Sequence, residues 1–176
     1  MRLFRQNLVV RIGTIVTLMM VFISTGSLLL QLMIMKEAAQ EAITRYNIQI
    51  AQSYATQMDT KLYAEVARDR QENSTTLQIR DELDDFRERI GAMYVYFVVL
   101  DGSEPLIMVD GMRDEALASP MNEVTDIPKE AVLELQQGQT ASSSIIRNPE
   151  YGDYISSYAP IVDASGAMIG VLGIDT

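Results

Sequence analysis

Four tyrosines on two predicted strands are the residues of this chain best suited to recognising a small molecule. Within each strand they lie an even number of residues apart and therefore share one face; they are Tyr94 and Tyr96 in the first strand, and Tyr154 and Tyr158 in the fourth. A buried tyrosine offers an apolar ring and a hydroxyl that needs a hydrogen-bond partner. Four converging tyrosines suit a small polar ligand. Packing within the core or across strands is the alternative role for each ring.

Three charged residues are candidates for the same site. Asp110 and Arg113 flank Gly111 at the mouth of a predicted loop, where they meet either a charged ligand or, more commonly, solvent. Asp175 ends an apolar strand, and a carboxylate in that position is rarely buried without a partner. That partner is a ligand amine, an arginine or a backbone N–H.

Catalytic chemistry finds little support in the residue types. The chain has no Cys and no His, which excludes a disulfide, a Cys/His zinc site and a Ser-His triad built from this chain alone. No nucleophile–base pair is recognisable, so we predict no catalytic residue, no metal site, no cofactor and no enzymatic activity for this segment. Gly170 and Gly173 lie inside a strand with the wrong spacing for a dinucleotide fingerprint. They are predicted to allow close approach of another backbone.

Charge is divided sharply along the chain. Of the 14 Lys and Arg, only Arg2, Arg5 and Arg11 precede Lys36, whereas all 24 Asp and Glu follow it. An acidic domain repels phosphate backbones, so nucleic acid is not an expected partner. The acids also keep an exposed domain soluble.

A membrane segment is predicted at residues 12–35, which carry no charged side chain. About 20 helical residues cross the hydrocarbon core. The preceding arginines place residues 1–11 in the cytoplasm and residues 36–176 outside the membrane. A cleaved signal peptide is the alternative, but it has a shorter apolar region, about 7–15 residues, and a small-x-small cleavage site.

The sequence of residues 36–176 predicts an α+β domain. The apolar spacing predicts one long helix over residues 36–70, continuing from the membrane helix, and a second helix over residues 76–90. Five strands follow between residues 93 and 175, interrupted by an irregular segment, residues 111–127, and a short helix. We predict a five-stranded antiparallel sheet with the helices packed on one face. A pocket lies on the other face, under the 111–127 loop.

Three segments carry a family resemblance: residues 150–161 (EYGDYISSYAPI), 163–166 (DASG) and 169–175 (IGVLGID). With the approach to the first strand (IGAMYVY, residues 90–96), they resemble the single Cache family of PAS-like extracytoplasmic sensor domains. The resemblance implies a small extracellular ligand between the sheet and its covering loop, with Asp175 contacting an amine group. Amino-acid-binding members grip a carboxylate with a Tyr, Arg and aromatic set. The chain lacks Trp, so a complete clamp of that kind is absent.

The resemblance predicts a bacterial transmembrane receptor, most like a methyl-accepting chemotaxis protein. The long helix is expected to pair with its twin in a homodimer through the stripe that includes Ile43, Ile50 and Leu62. The abrupt end after a core strand suggests that a second membrane helix and a cytoplasmic module follow. Alternative outputs are a histidine kinase or a diguanylate cyclase or phosphodiesterase. A further alternative is a membrane-anchored adaptor without a ligand.

Overall fold

The computed structural model describes residues 2–102, 104–114, 116–148 and 152–176. It divides into two compact units, Met1–Ile43 and Thr44–Thr176. The predicted turn over residues 148–152 falls largely on residues 149–151, which lie outside the described residues.

The first unit consists of the N-terminal part of helix α1 (Arg2–Ala55). From Leu8 to Met35 every side chain is exposed, although most of them are apolar. Thr14, Thr17 and Thr25 donate their hydroxyls to the carbonyl four residues earlier, at 2.8–2.9 Å, which hides these polar groups within the helix. Among the described helices, α1 alone is long and apolar enough to cross a membrane. A helix that is apolar all round needs an apolar surrounding.

The second unit begins with three helices where the sequence predicts two. Helix α1 ends at Ala55, and α2 (Thr60–Asp69) begins after a turn, so a single helix over residues 36–70 is wrong. The Asp59 carboxylate accepts the N–H of Lys61 at 3.1 Å and caps the new helix, an interaction that competes with helix continuation. Helix α3 (Ser74–Ile90) starts at an Asn73 capping box and ends at Gly91, which has φ +69°.

The break changes what the helical stripe does. Ile50 and Leu62 pack against the domain's own core, so they are not available as a seam between two copies. Ile43 is 48 % exposed and Tyr46 is 63 % exposed.

The sheet has five antiparallel strands in the order β2-β1-β7-β6-β3. Its members are β1 (Tyr94–Asp101), β2 (Glu104–Asp110), β3 (Ala141–Ser142), β6 (Ser156–Val162) and β7 (Met168–Asp175). Two short strands, β4 (Ile146–Asn148) and β5 (Gly152–Tyr154), form a separate ladder. The predicted third and fourth strands, residues 140–146 and 153–159, are therefore each divided in two. Tyr154 pairs with Ile146 of β4, whereas Tyr158 pairs with β3 and β7, so the two tyrosines belong to different strands.

Each face of the sheet has its own partners. Alternate residues of β1 and β7, such as Phe97 and Ile174, pack into a core with Tyr63 and Leu83 of α2 and α3. The opposite face is covered over one half only, by helix α4 (Lys129–Gln136). The other half of that face, the open half, has no helix over it in the described part of the chain.

Candidate functional site

A pocket of about 310 Å³ occupies the open half of the sheet. The segment that follows β2 covers it, as predicted for the 111–127 loop. The sheet contributes Tyr94, Tyr96, Ile107, Asp110, Ser156 and Asp175; the covering segment contributes Leu117, Ser119 and Glu123 to Asp126; and β5 contributes Tyr154. The volume falls at the small end of the range for ligand pockets, about 300–1,000 Å³.

Strand register brings the polar side chains of the floor together. Tyr94 lies opposite Asp175 on the neighbouring strand β7, and Tyr96 lies opposite Asp110 on β2. Ser156 of β6 lies opposite Asp175 from the other side. Directly paired residues point to the same face of a sheet, so these five side chains converge although their strands are distant in sequence.

Gly173 makes room for the ring of Tyr96. A Cβ added at Gly173 would collide with that ring, so the absence of a side chain lets the tyrosine lie flat across the strand. Gly170 does the same for Phe97 on the opposite face, where a Cβ would also meet the Val98 carbonyl oxygen at 2.5 Å. We predicted that another backbone approaches these two glycines closely. The structure brings an aromatic ring close to each of them, and a backbone atom is among the nearest neighbours at Gly170 only.

Asp175 is one of two nearly buried acids in the pocket. It is 7 % exposed, and the Tyr96 hydroxyl donates a hydrogen bond to its Oδ1 at 3.1 Å. Burial raises the pKa of Asp175 to about 6, although hydrogen bonds from Ser156 and Tyr96 act in the opposite direction. The carboxyl therefore changes charge within the range of environmental pH.

Asp110 is the second nearly buried acid, at 5 % exposed. The Ser119 N–H donates to its Oδ2 at 2.8 Å, whereas Oδ1 is buried without a hydrogen-bond partner among the described residues. Burial raises the pKa of Asp110, opposed by the Ser119 N–H and by the charge of Arg80. An acceptor left in this condition costs about 1–3 kcal/mol unless a ligand or water satisfies it.

Two further acids, Glu123 and Asp126, stand exposed at the rim. Sequence reasoning missed both, together with Ser119 and Ser156. For Glu123, Asp126 and Ser119, the signal that could have found them is their position in the predicted covering loop. For Ser156, it is the position near Tyr154 in the strand pattern. Every charged residue that lines the pocket is acidic.

Five of the seven residues predicted to bind a ligand meet here: Tyr94, Tyr96, Asp110, Tyr154 and Asp175. Tyr158 does not line the pocket; it is 1 % exposed and packs in the core beneath α4. Arg113 does not line it either. Its guanidinium contacts the carboxylates of Asp81, Asp84 and Asp85 on α3 at 3.0, 2.9 and 2.6 Å. Arg113 therefore ties the chain after β2 to α3.

Comparison with known proteins places the fold. No protein-family model and no curated protein match the chain. Among solved structures, the sensor domain of the V. cholerae histidine kinase DctB aligns with a TM-score of 0.56 at 12 % identity, over 83 % of this chain and 56 % of that one. The ligand-binding domain of the Campylobacter jejuni chemoreceptor Tlp3, solved with L-valine, aligns with a TM-score of 0.44 at 17 % identity, over 77 % and 52 %.

The chain thus spans about half the length of these two sensor domains. At such low identity the DctB likeness concerns the fold alone. The predicted α+β fold, a PAS-like five-stranded antiparallel sheet with a long apolar N-terminal helix, is confirmed.

Proposed function

We propose that this protein is a membrane-anchored receptor whose extracytoplasmic domain binds a small molecule and transmits the event across the membrane, as a methyl-accepting chemotaxis receptor does. The observation that carries the proposal is the pocket, where Asp110 and Asp175 are nearly buried yet face an open cavity. A buried structural carboxylate is normally neutralised by a cation. Here no Lys or Arg among the described residues lines the cavity, although the charge of Arg80 acts on Asp110 from outside it. Perturbed carboxylates in a cleft mark functional sites.

The anchor is the apolar part of α1. Its Leu8–Met35 side chains are exposed and uncharged apart from Arg11, a surface suited to lipid. With Arg2, Arg5 and Arg11 on the cytoplasmic side, the domain from Lys36 onward lies outside the cell membrane.

A short chain of contacts joins the pocket to α1. Thr176 follows Asp175 directly, and its hydroxyl accepts a hydrogen bond from the amide of Asn47 in α1. Asn47 is 5 % exposed, so the donor of this partly buried hydrogen bond is shielded from water. A ligand that binds Asp175 biases the position of α1 near Asn47. This requires that the domain has two arrangements and that the ligand binds them with different affinity.

Homodimerisation is part of the proposal, by way of the exposed face of α1. Tyr46 is 63 % exposed, a large apolar surface on a helix leading from the anchor. Tyr46→Cys in membranes should form a disulfide-linked dimer under mild oxidation. Gln57→Cys, exposed in the turn beyond α1, serves as the control. Crosslinking no better at position 46 than at position 57 contradicts a dimer through this face.

The sensing function is tested with the whole chain in phosphatidylcholine nanodiscs. A thermal-unfolding screen covers amino acids, organic acids, amines and purines. A ligand at 100 times its Kd stabilises the folded domain by about 2.7 kcal/mol, which raises Tm by several degrees. The shift should vanish in Asp175→Asn and persist in Asp153→Asn, an exposed acid outside the pocket. No stabilisation by any compound contradicts the proposal and favours the ligandless adaptor.

The output is chemotactic in this proposal, with a histidine kinase and a diguanylate cyclase or phosphodiesterase as alternatives. The sequence of the full-length protein decides among them. Long methyl-accepting heptads support the chemoreceptor, whereas a kinase or GGDEF motif contradicts it.

A further inference from the structure

The charge of the pocket restricts what can enter it. Asp110, Glu123, Asp126 and Asp175 line it, and no Lys or Arg does. Arg113 is held by three aspartates on α3, and the Arg80 guanidinium pairs with Glu72 at 3.4 Å. A ligand carboxylate would find no counter-charge among the lining residues. A cationic ligand would be attracted by all four acids.

A bound divalent metal ion is the less suitable cation. Within the described residues, no group of three or more acidic side chains is arranged to hold a metal. Calcium takes 6–8 oxygen ligands, far more than one isolated carboxylate supplies. The pocket acids therefore fit separate organic ammonium groups better than one shared ion.

The two nearly buried acids stand on either side of Tyr96. Asp110 pairs with Tyr96 from β2, while Asp175 lies on β7, one row away opposite Tyr94. Strands are about 4.8 Å apart and two residues advance about 6.8 Å, so the two Cα atoms are about 12 Å apart. Each carboxylate extends beyond its Cα atom, and the two acids are close enough for the charge of Asp110 to raise the pKa of Asp175. Two positive charges offset this repulsion more fully than one.

An unused acceptor marks the second position. Asp110 Oδ1 is buried without a hydrogen-bond partner among the described residues, although the residue lines the pocket. The Asp175 carboxylate, by contrast, already accepts from Tyr96. A ligand that reaches only Asp175 would leave Asp110 Oδ1 unsatisfied, at the cost that a buried orphan acceptor carries.

We propose that the ligand is a linear aliphatic diamine, with one ammonium on Asp175 and the other on Asp110. This rests on the proposed function, because it names the ligand class of the same pocket. The two side chains extend from Cα atoms about 12 Å apart. With a charge-assisted hydrogen bond of about 2.8 Å at each end, the two nitrogens lie well inside that distance, within reach of a four- or five-carbon chain. The tyrosine rings at Tyr94 and Tyr96 supply an apolar and cation-attracting floor for that chain.

Calorimetry on the whole chain in phosphatidylcholine nanodiscs at pH 7.5 tests the proposal. The probes are 1,4-diaminobutane, 1,5-diaminopentane, butylamine, 4-aminobutanoate and butanedioate. At least one diamine should bind 10-fold or more tightly than butylamine, because it engages both acids. The zwitterion 4-aminobutanoate, of matched length, should bind no more tightly than butylamine, because its carboxylate meets Asp110.

Two variants and a control separate the two positions. Asp110→Asn should abolish the advantage of the diamine while leaving butylamine affinity within about threefold. Asp175→Asn should weaken both amines. Asp153→Asn removes one acid outside the pocket and should change neither, which controls for the general loss of negative charge.

Each contrary result has a distinct meaning. Equal affinity for butylamine and the diamines, or a diamine advantage that survives Asp110→Asn, overturns the two-ammonium arrangement. Tightest binding of 4-aminobutanoate or butanedioate, or stabilisation only by a compound that is not an amine, overturns the diamine but leaves the sensor function standing. No binding by these probes or by the broader screen overturns both.

Discussion

The two faces of the central strands β1 and β7 have opposite tasks, although their residues alternate along the same chain. Phe97, Leu172 and Ile174 are fully buried against the helices. Their neighbours Tyr96 and Asp175 face the pocket. The helix side is mainly apolar, and the atoms buried there without a hydrogen-bond partner among the described residues include the neutral hydroxyls of Tyr63 and Ser157. On the pocket side, the atom left in that condition belongs to a carboxylate, Asp110 Oδ1. A strand can thus hold the fold with one set of side chains and reserve the other set for recognition.

The pocket exists because α4 is short. Its eight residues, Lys129–Gln136, span only about 12 Å. They cover Val98 and Val171 through Val132 and Leu135, and the remaining half of that face is left to the loop after β2. Where the helix covers the sheet, the side chains are apolar apart from the Tyr158 hydroxyl; where it does not, they are mostly tyrosines and acids.

The largest stability loss is expected from the helix-packed face. Phe97→Ala removes a buried ring that meets Tyr63 edge to face at 5.1 Å between centroids. The free energy of unfolding should fall by about 3–5 kcal/mol, measured by denaturant titration. Tyr94→Ala, on the pocket face and only partly buried, should cost less than about 1.5 kcal/mol. Similar losses at the two sites would remove the distinction between the faces.

A smaller change of opposite sign is expected at Asp175. Burial raises its pKa to about 6 from the ordinary aspartate value of 3.8, so the folded state binds the proton more tightly than the unfolded state. This stabilisation is present below about pH 4 and is lost as the pH rises through 6. Asp175→Asn keeps an acceptor for Tyr96 and should raise the unfolding free energy at pH 7.5 by about 3 kcal/mol.

Thermal unfolding at pH 4 and pH 7.5 checks this expectation. The gain of the variant over the parent should be confined to the higher pH, because Asp175 is neutral at the lower one. A variant that is less stable than the parent at both pH values would show that Asp175 supports the fold rather than straining it.

Substitutions at the two strand glycines form a matched pair. Their expected effect on the unfolding free energy is similar to that of Asp175→Asn or slightly smaller. Gly173→Ala should push the Tyr96 ring toward the pocket and separate its hydroxyl from Asp175, at a cost of about 1–3 kcal/mol. Gly170→Ala should disturb Phe97 on the other face by a similar energy. In calorimetry with 1,5-diaminopentane, only Gly173→Ala should lose affinity beyond its effect on folding. Equal loss of affinity in both variants would contradict the separation of the faces.

The smallest effect is expected at Arg113, which lies outside the pocket. Its guanidinium is 47 % exposed and pairs with two exposed aspartates and with the buried Asp84, which keeps a second partner in Arg87. Exposed ion pairs contribute about 0–1 kcal/mol. Arg113→Ala should lower the unfolding free energy by no more than about 1 kcal/mol and leave diamine affinity unchanged. A tenfold loss of affinity at unchanged stability would bring Arg113 back into the binding site.

Local patterns were sufficient for much of the fold. The uncharged run before Lys36, the cap at Gly91 and the strand alternation that ends in Asp175 each depend on residues close in sequence. Such elements can be predicted from the sequence, because the hydrophobic period and the capping interactions depend on a few neighbouring side chains. The five-stranded sheet and the tyrosine and aspartate candidates on it followed from them.

The site itself was decided by tertiary structure. The pairing of Tyr154 with Ile146 assigned Tyr154 to β5 at the pocket wall. The pairing of Tyr158 with β3 and β7 left it in the core. Contacts with α3 removed Arg113 from the site. The sequence by itself determined which residues alternate and which carry charge, because those properties are local. Only the tertiary structure set Asp110 and Asp175 around one tyrosine, because strand register and loop cover depend on pairings between distant segments.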